Sequence, residues 1–228
     1  MTGVTAADLL DVAYLAERAK LIDPQRANDF QHGTPPSGGT IYLTAADERG
    51  MMVSLIQSNY MGFGSGVVVP GTGVSLQNRG HGFTLDAAHP NVVAGGKRPF
   101  HTIIPGFLTR ELNGQMRPQM SFGVMGGNMQ PQGHLQTLVR MLVHSQQPQA
   151  ACDAPRWKVG SGLNVDFEST MAPALVEGLK VRGHRFVTTP DAYMDYGSGQ
   201  FIWRLCDDAD DGYVAASDSR RDGQAVGY

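Results

Sequence analysis

The order of hydrophobic and polar positions predicts one helix at the start of the chain and paired strands after it. Apolar residues recur at a spacing of about 3.6 across residues 5–22, which is typical of an amphipathic helix. Residues 28–39 have no core-forming pattern and are interpreted as an exposed linker. Strand-like residues begin abruptly at Thr40, turn at Gly50 and return in residues 51–57, which predicts a β-hairpin.

The rest of the chain continues with hairpins and helices. Residues 101–110 and 116–124 are predicted strands joined by Asn113-Gly114, a strong hairpin signal. Further elements are predicted at residues 131–144 (helix), from Pro173 to just before Gly183 (helix), and at 185–189, 200–206 and 213–217 (strands). Paired hairpins with helices between them indicate an α+β fold, with two antiparallel sheets flanked by helices.

Composition narrows the class of protein. The 228 residues are 41% hydrophobic with a net charge of −3, so the concentrated basic face of a nucleic-acid-binding protein is not expected. No run approaches the ~18 apolar residues of a membrane span, so no membrane partner is expected. The first residues lack the features of a signal peptide, and a cytoplasmic location is the expectation. The two cysteines are interpreted as buried thiols.

Several common catalytic and cofactor motifs are missing from the sequence. It contains no G-x-S-x-G, Walker A, H-E-x-x-H or C-x-x-C motif. The glycine-rich segment that starts at Gly62 has Val67 where a dinucleotide fingerprint needs its third glycine. The seven histidines form no pair at helical spacing. Neither a cofactor nor a metal is therefore expected.

Thr40 lies where the flexible linker meets the first strand, and this position is suited to a nucleophile. A threonine hydroxyl is a weak nucleophile and needs a base. Cleavage of the Gly39–Thr40 bond would release an α-amine beside Oγ1, and its pKa of about 7.7–8 lets it accept the hydroxyl proton at neutral pH. Threonine is also common at strand starts, so an ordinary strand residue stays open as the alternative.

A co-linear set of motifs runs from about residue 37 to the last residue. It consists of Gly-Gly-Thr40-Ile-Tyr-Leu, Ser58-Asn-Tyr-x-Gly-Phe-Gly-Ser-Gly66, Pro70-Gly-Thr-Gly73, Gly96-Lys-Arg-Pro99, Val124-Met-Gly-Gly127, Ala154-Pro-Arg156 and Ala-Ser-Asp218. This set resembles the small subunit of γ-glutamyltranspeptidases, and within that family its cephalosporin-acylase-like branch. Residues 5–26 resemble the final helix of the family's large subunit.

The resemblance implies an N-terminal-nucleophile hydrolase that cuts itself between Gly39 and Thr40. The implied fold is an αββα four-layer sandwich that is incomplete without the large subunit. Residues 1–27 would be the last helix of the large-subunit part, 28–39 the processing linker and 40–228 the catalytic small-subunit domain. The implied partners are that large subunit and a small-molecule amide or peptide, either glutathione-like or a glutaryl amide.

Four residues match the family's catalytic positions. Thr40 falls on the nucleophile, and Ser58 falls where a hydroxyl residue supports the nucleophile's amine. Gly126 and Gly127 fall on the pair whose backbone N–H groups hold the tetrahedral oxyanion. Two glycines between a strand and a helix also offer free N–H donors. An ordinary strand serine and a plain turn remain the alternatives for Ser58 and for the glycine pair.

The substrate-binding positions depart from the family pattern. Arg79 and Gly82 replace the amide or carboxylate and the aspartate that hold the α-amine of a glutamyl group. His101 and Thr102 replace the paired serines that hold its α-carboxylate. Because a cation at Arg79 repels an ammonium group, an anionic acyl group without an α-amine, such as glutaryl, is expected.

The leading prediction is an amidase or acyltransferase that works through an acyl-enzyme on Thr40. Two alternatives stay open. One is true γ-glutamyl transfer, with Arg79 turned away from the site. The other is a catalytically inactive fragment that acts only as a structural or binding module.

Overall fold

The computed structural model describes four stretches of the chain, residues 11–26, 40–186, 196–206 and 212–228. The predicted linker with Gly39 lies outside the described residues, as do residues 187–189 of one predicted strand. The first helix, α1 (Val12–Ala19), lies within the range predicted for it. Pro24, just after α1, accepts a hydrogen bond at its carbonyl oxygen from Arg182 Nε at 2.9 Å.

The described residues after α1 alternate between strands and helices. The strands are β1 (Thr40–Ala46), β2 (Met52–Ser58), β3 (Gly106–Leu112), β4 (Gln115–Met125), β5 (Trp157–Val159), β6 (Asn164–Phe167), β7 (Arg185–Phe186), β8 (Ser198–Arg204) and β9 (Tyr213–Ser217). The helices are α2 (Gln130–Leu142), α3 (Pro148–Asp153) and α4 (Pro173–Val181). In this part of the chain the strands form a β1–β2 hairpin, a sheet in the order β3-β4-β8-β9, and a sheet in the order β5-β6-β7.

The central strand β4 joins the layers because its two faces pack against different elements. Its odd-numbered residues face the β1–β2 hairpin: Ser121 is hydrogen-bonded to Thr44, and Gly123 lies against the Tyr42 ring. Its even-numbered residues, including Phe122, pack in the core with residues of α2 and α3. The β1–β2 hairpin, the four-stranded sheet and the helices α2 and α3 are therefore stacked as three successive layers. The mixture of helix and sheet confirms the predicted α+β class.

The outer face of the β1–β2 hairpin is apolar and exposed to solvent. Alternation along the strands turns Tyr42 inward and turns Ile41, Leu43, Val53 and Leu55 outward. These four outward side chains are between 43% and 64% exposed. A contiguous apolar surface of this kind is typical of a face that another element covers.

Three details differ from the predictions. The strand predicted at 101–110 begins only at Gly106, since Pro105 has no N–H to donate to a ladder. Among the described residues, three sheets replace the predicted two, and β6 pairs with β7 in parallel. Cys152 is buried, as predicted, but Cys206 is only half-buried, so the interpretation as two buried thiols is wrong for Cys206.

Within the described ranges, the helices are too short or too polar to traverse a lipid bilayer.

Candidate active site

Thr40 is the first residue of β1, and its side chain points toward the four-stranded sheet with those of Tyr42 and Thr44. The antiparallel register pairs Thr40 with Ser58, the last residue of β2. This pairing explains why Thr40 Oγ1 donates a hydrogen bond to Ser58 Oγ at 2.9 Å. Thr40 is half-buried, so its hydroxyl is held in place by the hairpin while part of the side chain faces solvent.

The packing of β1 on β4 brings Thr40 toward the predicted oxyanion glycines. Thr44 contacts Ser121 and Tyr42 contacts Gly123, so each step of two residues toward the start of β1 advances two residues along β4. The next step in this progression places Thr40 opposite Met125, the last residue of β4. Thr40 therefore lies at the end of the sandwich where β4 leads into the two glycines.

Gly126 and Gly127 form the turn between β4 and α2. Their φ angles are +144° and +58°, a backbone that side chains disfavour. A Cβ on Gly126 would lie 2.8 Å from Gly197 Cα, so the position has no room for a side chain. A 3₁₀ turn from Gly127 leads into α2, and the dipole at the N-terminal end of a helix favours negative charge. The turn is therefore a conformation that only glycine fits, and its role in holding an oxyanion stays a prediction.

Arg79 and Thr102, two of the residues predicted to bind substrate, are in contact with each other. The Arg79 side chain is 8% exposed, and its Nη1 donates to Thr102 Oγ1 at 3.1 Å. Its Cζ lies 5.3 Å from the centroid of the Tyr60 ring, a cation–π distance. Nη2 has no hydrogen-bond partner among the described residues. Burial lowers the pKa of the Arg79 guanidinium while Tyr60 raises it, and arginine stays charged at neutral pH.

Tyr60 links Arg79 to Thr40, and the sequence analysis did not assign it a role. Its backbone N–H donates to Ser58 Oγ at 3.0 Å, the same oxygen that accepts the Thr40 hydrogen bond. Its φ of +79° is uncommon for a bulky residue and is typical of functional turns. A continuous series of contacts thus runs from Thr40 through Ser58 and Tyr60 to Arg79. The signal in the sequence that could have indicated Tyr60 is its position two residues after Ser58, the last residue of β2.

The two other predicted substrate-binding residues have different surroundings. The Gly82 carbonyl accepts a hydrogen bond from Asn91, and a Cβ on Gly82 would lie 2.6 Å from the Phe100 carbonyl oxygen. The loop therefore cannot accept the family's aspartate at this position without moving. His101 is exposed, and its Nδ1 accepts the Ile103 N–H at 3.2 Å. Of His101 and Thr102, only Thr102 contacts Arg79 in the described structure.

His134 on α2 supports the end of β4 from the side opposite the hairpin. Its Nε2 accepts the Val124 N–H at 2.8 Å, two residues before Gly126. Burial lowers the pKa of His134 to about 4, so the imidazole is neutral and able to accept this bond at neutral pH. The carboxyl end of β4 is therefore fixed by a histidine that the folded protein keeps unprotonated.

This depressed pKa predicts a loss of stability in mild acid. The unfolded imidazole takes up a proton near pH 6.5, whereas the folded one does so only near pH 4, so the free energy of unfolding falls as the pH drops between these values. The free energy of unfolding is lower by about 3 kcal/mol once the pH is below both pKa values. His134→Gln retains an acceptor for Val124 and is expected to flatten the pH dependence measured by urea unfolding. His144→Gln, at an exposed position, is the control and should leave it unchanged; a flat wild-type profile would contradict the assignment.

Comparison with known proteins identifies the family. The family model "Gamma-glutamyltranspeptidase" matches residues 1–228. The chain belongs to the γ-glutamyltranspeptidase family. Its structure is similar to the crystal structure of cephalosporin acylase from Bacillus halodurans, with a TM-score of 0.86 and 46% sequence identity over 99% of this chain and 40% of that one. The resemblance inferred from the motifs, including that to cephalosporin acylases, is thereby confirmed.

Two relatives in sequence extend the comparison. An oxamate amidohydrolase proenzyme of Klebsiella pneumoniae is 35% identical over 99% of this chain and 42% of its own length. A glutathione hydrolase-like proenzyme of Bacillus subtilis is 36% identical over 85% of this chain and 36% of its own length. The chain thus spans about two fifths of the length of the relatives it matches.

Among the described residues, no three His, Cys, Asp or Glu side chains cluster as a metal site requires.

Proposed function

We propose that this chain supplies the catalytic centre of a γ-glutamyltranspeptidase-like amidase or acyltransferase whose nucleophile is Thr40. The observation that supports this most directly is the hydrogen bond from Thr40 Oγ1 to Ser58 Oγ, at the end of the sandwich where Gly126 and Gly127 begin. A hydroxyl, a supporting hydroxyl and the backbone N–H groups of a glycine turn form the set that acyl transfer needs. The proenzyme names of the relatives agree with maturation by cleavage.

The proposed reaction starts with maturation. Hydrolysis of the Gly39–Thr40 peptide bond gives a Gly39 carboxylate and a free Thr40 α-amine. In the mature site this amine accepts the Oγ1 proton while Oγ1 bonds to the carbon of the substrate amide. Before this step Oγ1 donates its hydrogen bond to Ser58 Oγ. When the amine takes the Oγ1 proton, the Ser58 O–H turns to donate to Oγ1 and holds it in place. Ser58 is also in reach of the new amine, because the two residues are paired across the hairpin.

The tetrahedral intermediate carries its negative charge on the former carbonyl oxygen. The N–H groups of Gly126 and Gly127 would hold this oxyanion. When the intermediate collapses, the C–N bond breaks and the Thr40 ammonium returns its proton to the leaving amine, which leaves an ester on Oγ1. Water or an acceptor amine then attacks this ester and passes a proton through the same α-amine. The products are a carboxylic acid or a new amide, and Oγ1 regains its proton.

Arg79 directs the proposal toward anionic acyl groups that lack an α-amine. Its guanidinium is buried, and Nη2, which solvent does not reach, has no partner among the described residues. A substrate carboxylate that entered beside Nη2 would satisfy this unpaired donor. An ammonium group would instead meet this cation, and Gly82 leaves no room for an opposing aspartate. The relative from Klebsiella pneumoniae is named for oxamate, an amide whose acyl part bears a carboxylate and no α-amine. A glutaryl amide has the same two features.

The proposal includes the large-subunit region of the family as partner. The chain covers only 36% to 42% of the length of its relatives, and the outer face of the β1–β2 hairpin is apolar and exposed. A helical layer on this face would complete the αββα sandwich. Activity is therefore proposed for the chain assembled with that region.

A substrate panel tests the proposed specificity. The chain, assembled with a family large subunit, is expected to show a higher kcat/KM for a glutaryl anilide than for the γ-glutamyl anilide. One charge contact of about 1–3 kcal/mol corresponds to a preference of roughly 5- to 150-fold. Arg79→Gln removes the cation and is expected to lower the ratio of kcat/KM for the glutaryl anilide to that for the γ-glutamyl anilide toward one. Arg79→Lys keeps a positive charge and is expected to retain part of the preference.

Arg117→Gln is the matched control for this panel, because it removes an arginine at an exposed position near the other end of β4. It should leave the ratio unchanged. If the unmodified enzyme prefers the γ-glutamyl anilide, Arg79 does not contact the acyl group and true γ-glutamyl transfer is the function. If neither substrate is cleaved and the chain is never cut before Thr40, the inactive-module alternative is correct.

A further inference from the structure

A buried ion-pair network lies behind the Gly126–Gly127 turn. Asp218 is 1% exposed, and its Oδ2 accepts hydrogen bonds from Arg156 Nη2 at 2.6 Å and from the Gly199 N–H at 2.7 Å. Its Oδ1 accepts from Arg220, which also donates to Glu168. Burial alone would raise the pKa of the Asp218 carboxyl, but Arg156, Arg220 and the bound N–H groups together lower it, so Asp218 is ionised.

Arg156 extends this network to the segment that leads into β8. The side chain is 1% exposed, and its Nη1 donates to the carbonyl oxygens of Tyr196 at 3.1 Å and Gly197 at 2.8 Å. One guanidinium thus holds Asp218 on one side and two consecutive carbonyl oxygens on the other. The planar fork of arginine can do this at fixed angles, whereas the single ammonium of lysine cannot reproduce all these contacts.

Gly197 is in direct contact with the turn that the proposed mechanism uses. Its Cα would lie 2.8 Å from a Cβ on Gly126, so the two glycine backbones are already at van der Waals contact. Gly197 has a φ of +71°, and a Cβ there would meet the Met125 carbonyl oxygen. The following residue, Ser198, pairs with Met125 in the sheet. A shift of Gly197 would therefore be transmitted to the backbone from which the Gly126 and Gly127 N–H groups point.

We propose that Arg156 is a positioning residue for the oxyanion site, acting through Gly197 to fix the N–H groups of Gly126 and Gly127. The inference rests on the proposed function and adds to it a residue that does not touch substrate. Arg220 belongs to the same network but donates to Glu168, Asp218 and the Cys152 and Ala154 carbonyls rather than to Gly197. The two arginines thus have different effects if the inference is correct, and equal effects if the network serves only stability.

The test compares Arg156→Lys with Arg220→Lys in the chain assembled with a family large subunit. Both changes keep the charge and remove one guanidinium fork from the same network. Arg156→Lys is expected to lower kcat for the glutaryl anilide by about 10-fold or more with KM changed less than about 2-fold, the signature of weaker oxyanion stabilisation. Arg220→Lys is expected to keep kcat within about 3-fold. Thermal unfolding of both variants measures how far each change destabilises the fold.

A second readout is independent of turnover. The amide resonances of Gly126 and Gly127 in the ¹⁵N–¹H spectrum of the assembled protein should shift in Arg156→Lys and not in Arg220→Lys. Equal losses of kcat in the two variants, or no loss in either, would overturn the inference while leaving the proposed function standing. If the unmodified protein has no amidase activity, the proposed function fails. In that case unchanged Gly126 and Gly127 resonances in Arg156→Lys would also refute the proposal that Arg156 positions these glycines through Gly197.

Discussion

Thr40→Ala is expected to leave the chain uncut and to lower amidase turnover by at least about 10⁴-fold, because it removes the only oxygen that can become acylated in the proposed mechanism. The substitution removes the hydrogen bond to Ser58, but Thr40 is half-buried on a hairpin edge, so the fold should persist. Mass spectrometry of the purified chain measures cleavage, and hydrolysis of a glutaryl anilide measures turnover.

Thr40→Ser is the matched control for this prediction. It keeps a hydroxyl and, after cleavage, an α-amine, so both cleavage and turnover should be retained at a reduced level. Circular dichroism must show the same fold in both variants. Turnover by Thr40→Ala near that of the unmodified enzyme would remove Thr40 from the mechanism.

Gly126→Ala is expected to lower kcat by about 10²-fold or more, because its Cβ would collide with the Gly197 backbone and displace an N–H donor. The positive φ adds strain, which is a separate effect on stability. Gly114→Ala is the matched control: Gly114 has a φ of +76° in the turn before β4 and has open space around its Cβ position.

The two glycine variants separate strain from catalysis. Both should lower the free energy of unfolding, since both place alanine in a left-handed conformation. Only Gly126→Ala should lower kcat, while KM should change little in either. A kcat for Gly126→Ala as high as that of Gly114→Ala would mean that the turn before α2 does not stabilise the oxyanion.

Local signals in the sequence were enough to predict the elements that position Thr40. The change from linker pattern to strand pattern predicts β1, and the Asn113-Gly114 pair predicts the β3–β4 hairpin, whose turn residues both have positive φ. Alternation within β1 explains why Tyr42 faces inward on the same side as Thr40. Such patterns depend on neighbours along the chain, so a single sequence contains them.

Contacts between distant segments could not be predicted in the same way. The Tyr60 ring beside Arg79 and the Phe100 carbonyl beside Gly82 depend on how the loops pack, and neither leaves a periodic signal. The late start, at Gly106, of the strand predicted at 101–110 follows from Pro105, a local signal that the alternation outweighed. The motifs containing Arg156 and Asp218 were noted for resemblance alone, since their ion pair spans 62 residues of chain.

The central claim is that Thr40 becomes an N-terminal nucleophile, and one intact-mass measurement tests it most directly. The protein, purified with a family large subunit and incubated with a glutaryl anilide under conditions that trap the ester, is expected to yield a fragment from Thr40 to Tyr228. Part of that fragment should be heavier by one glutaryl group that mild alkali removes, and the uncut Thr40→Ala chain should gain no such mass. A chain that stays whole, or a Thr40–Tyr228 fragment that never gains the acyl mass while the anilide is hydrolysed, would contradict the account.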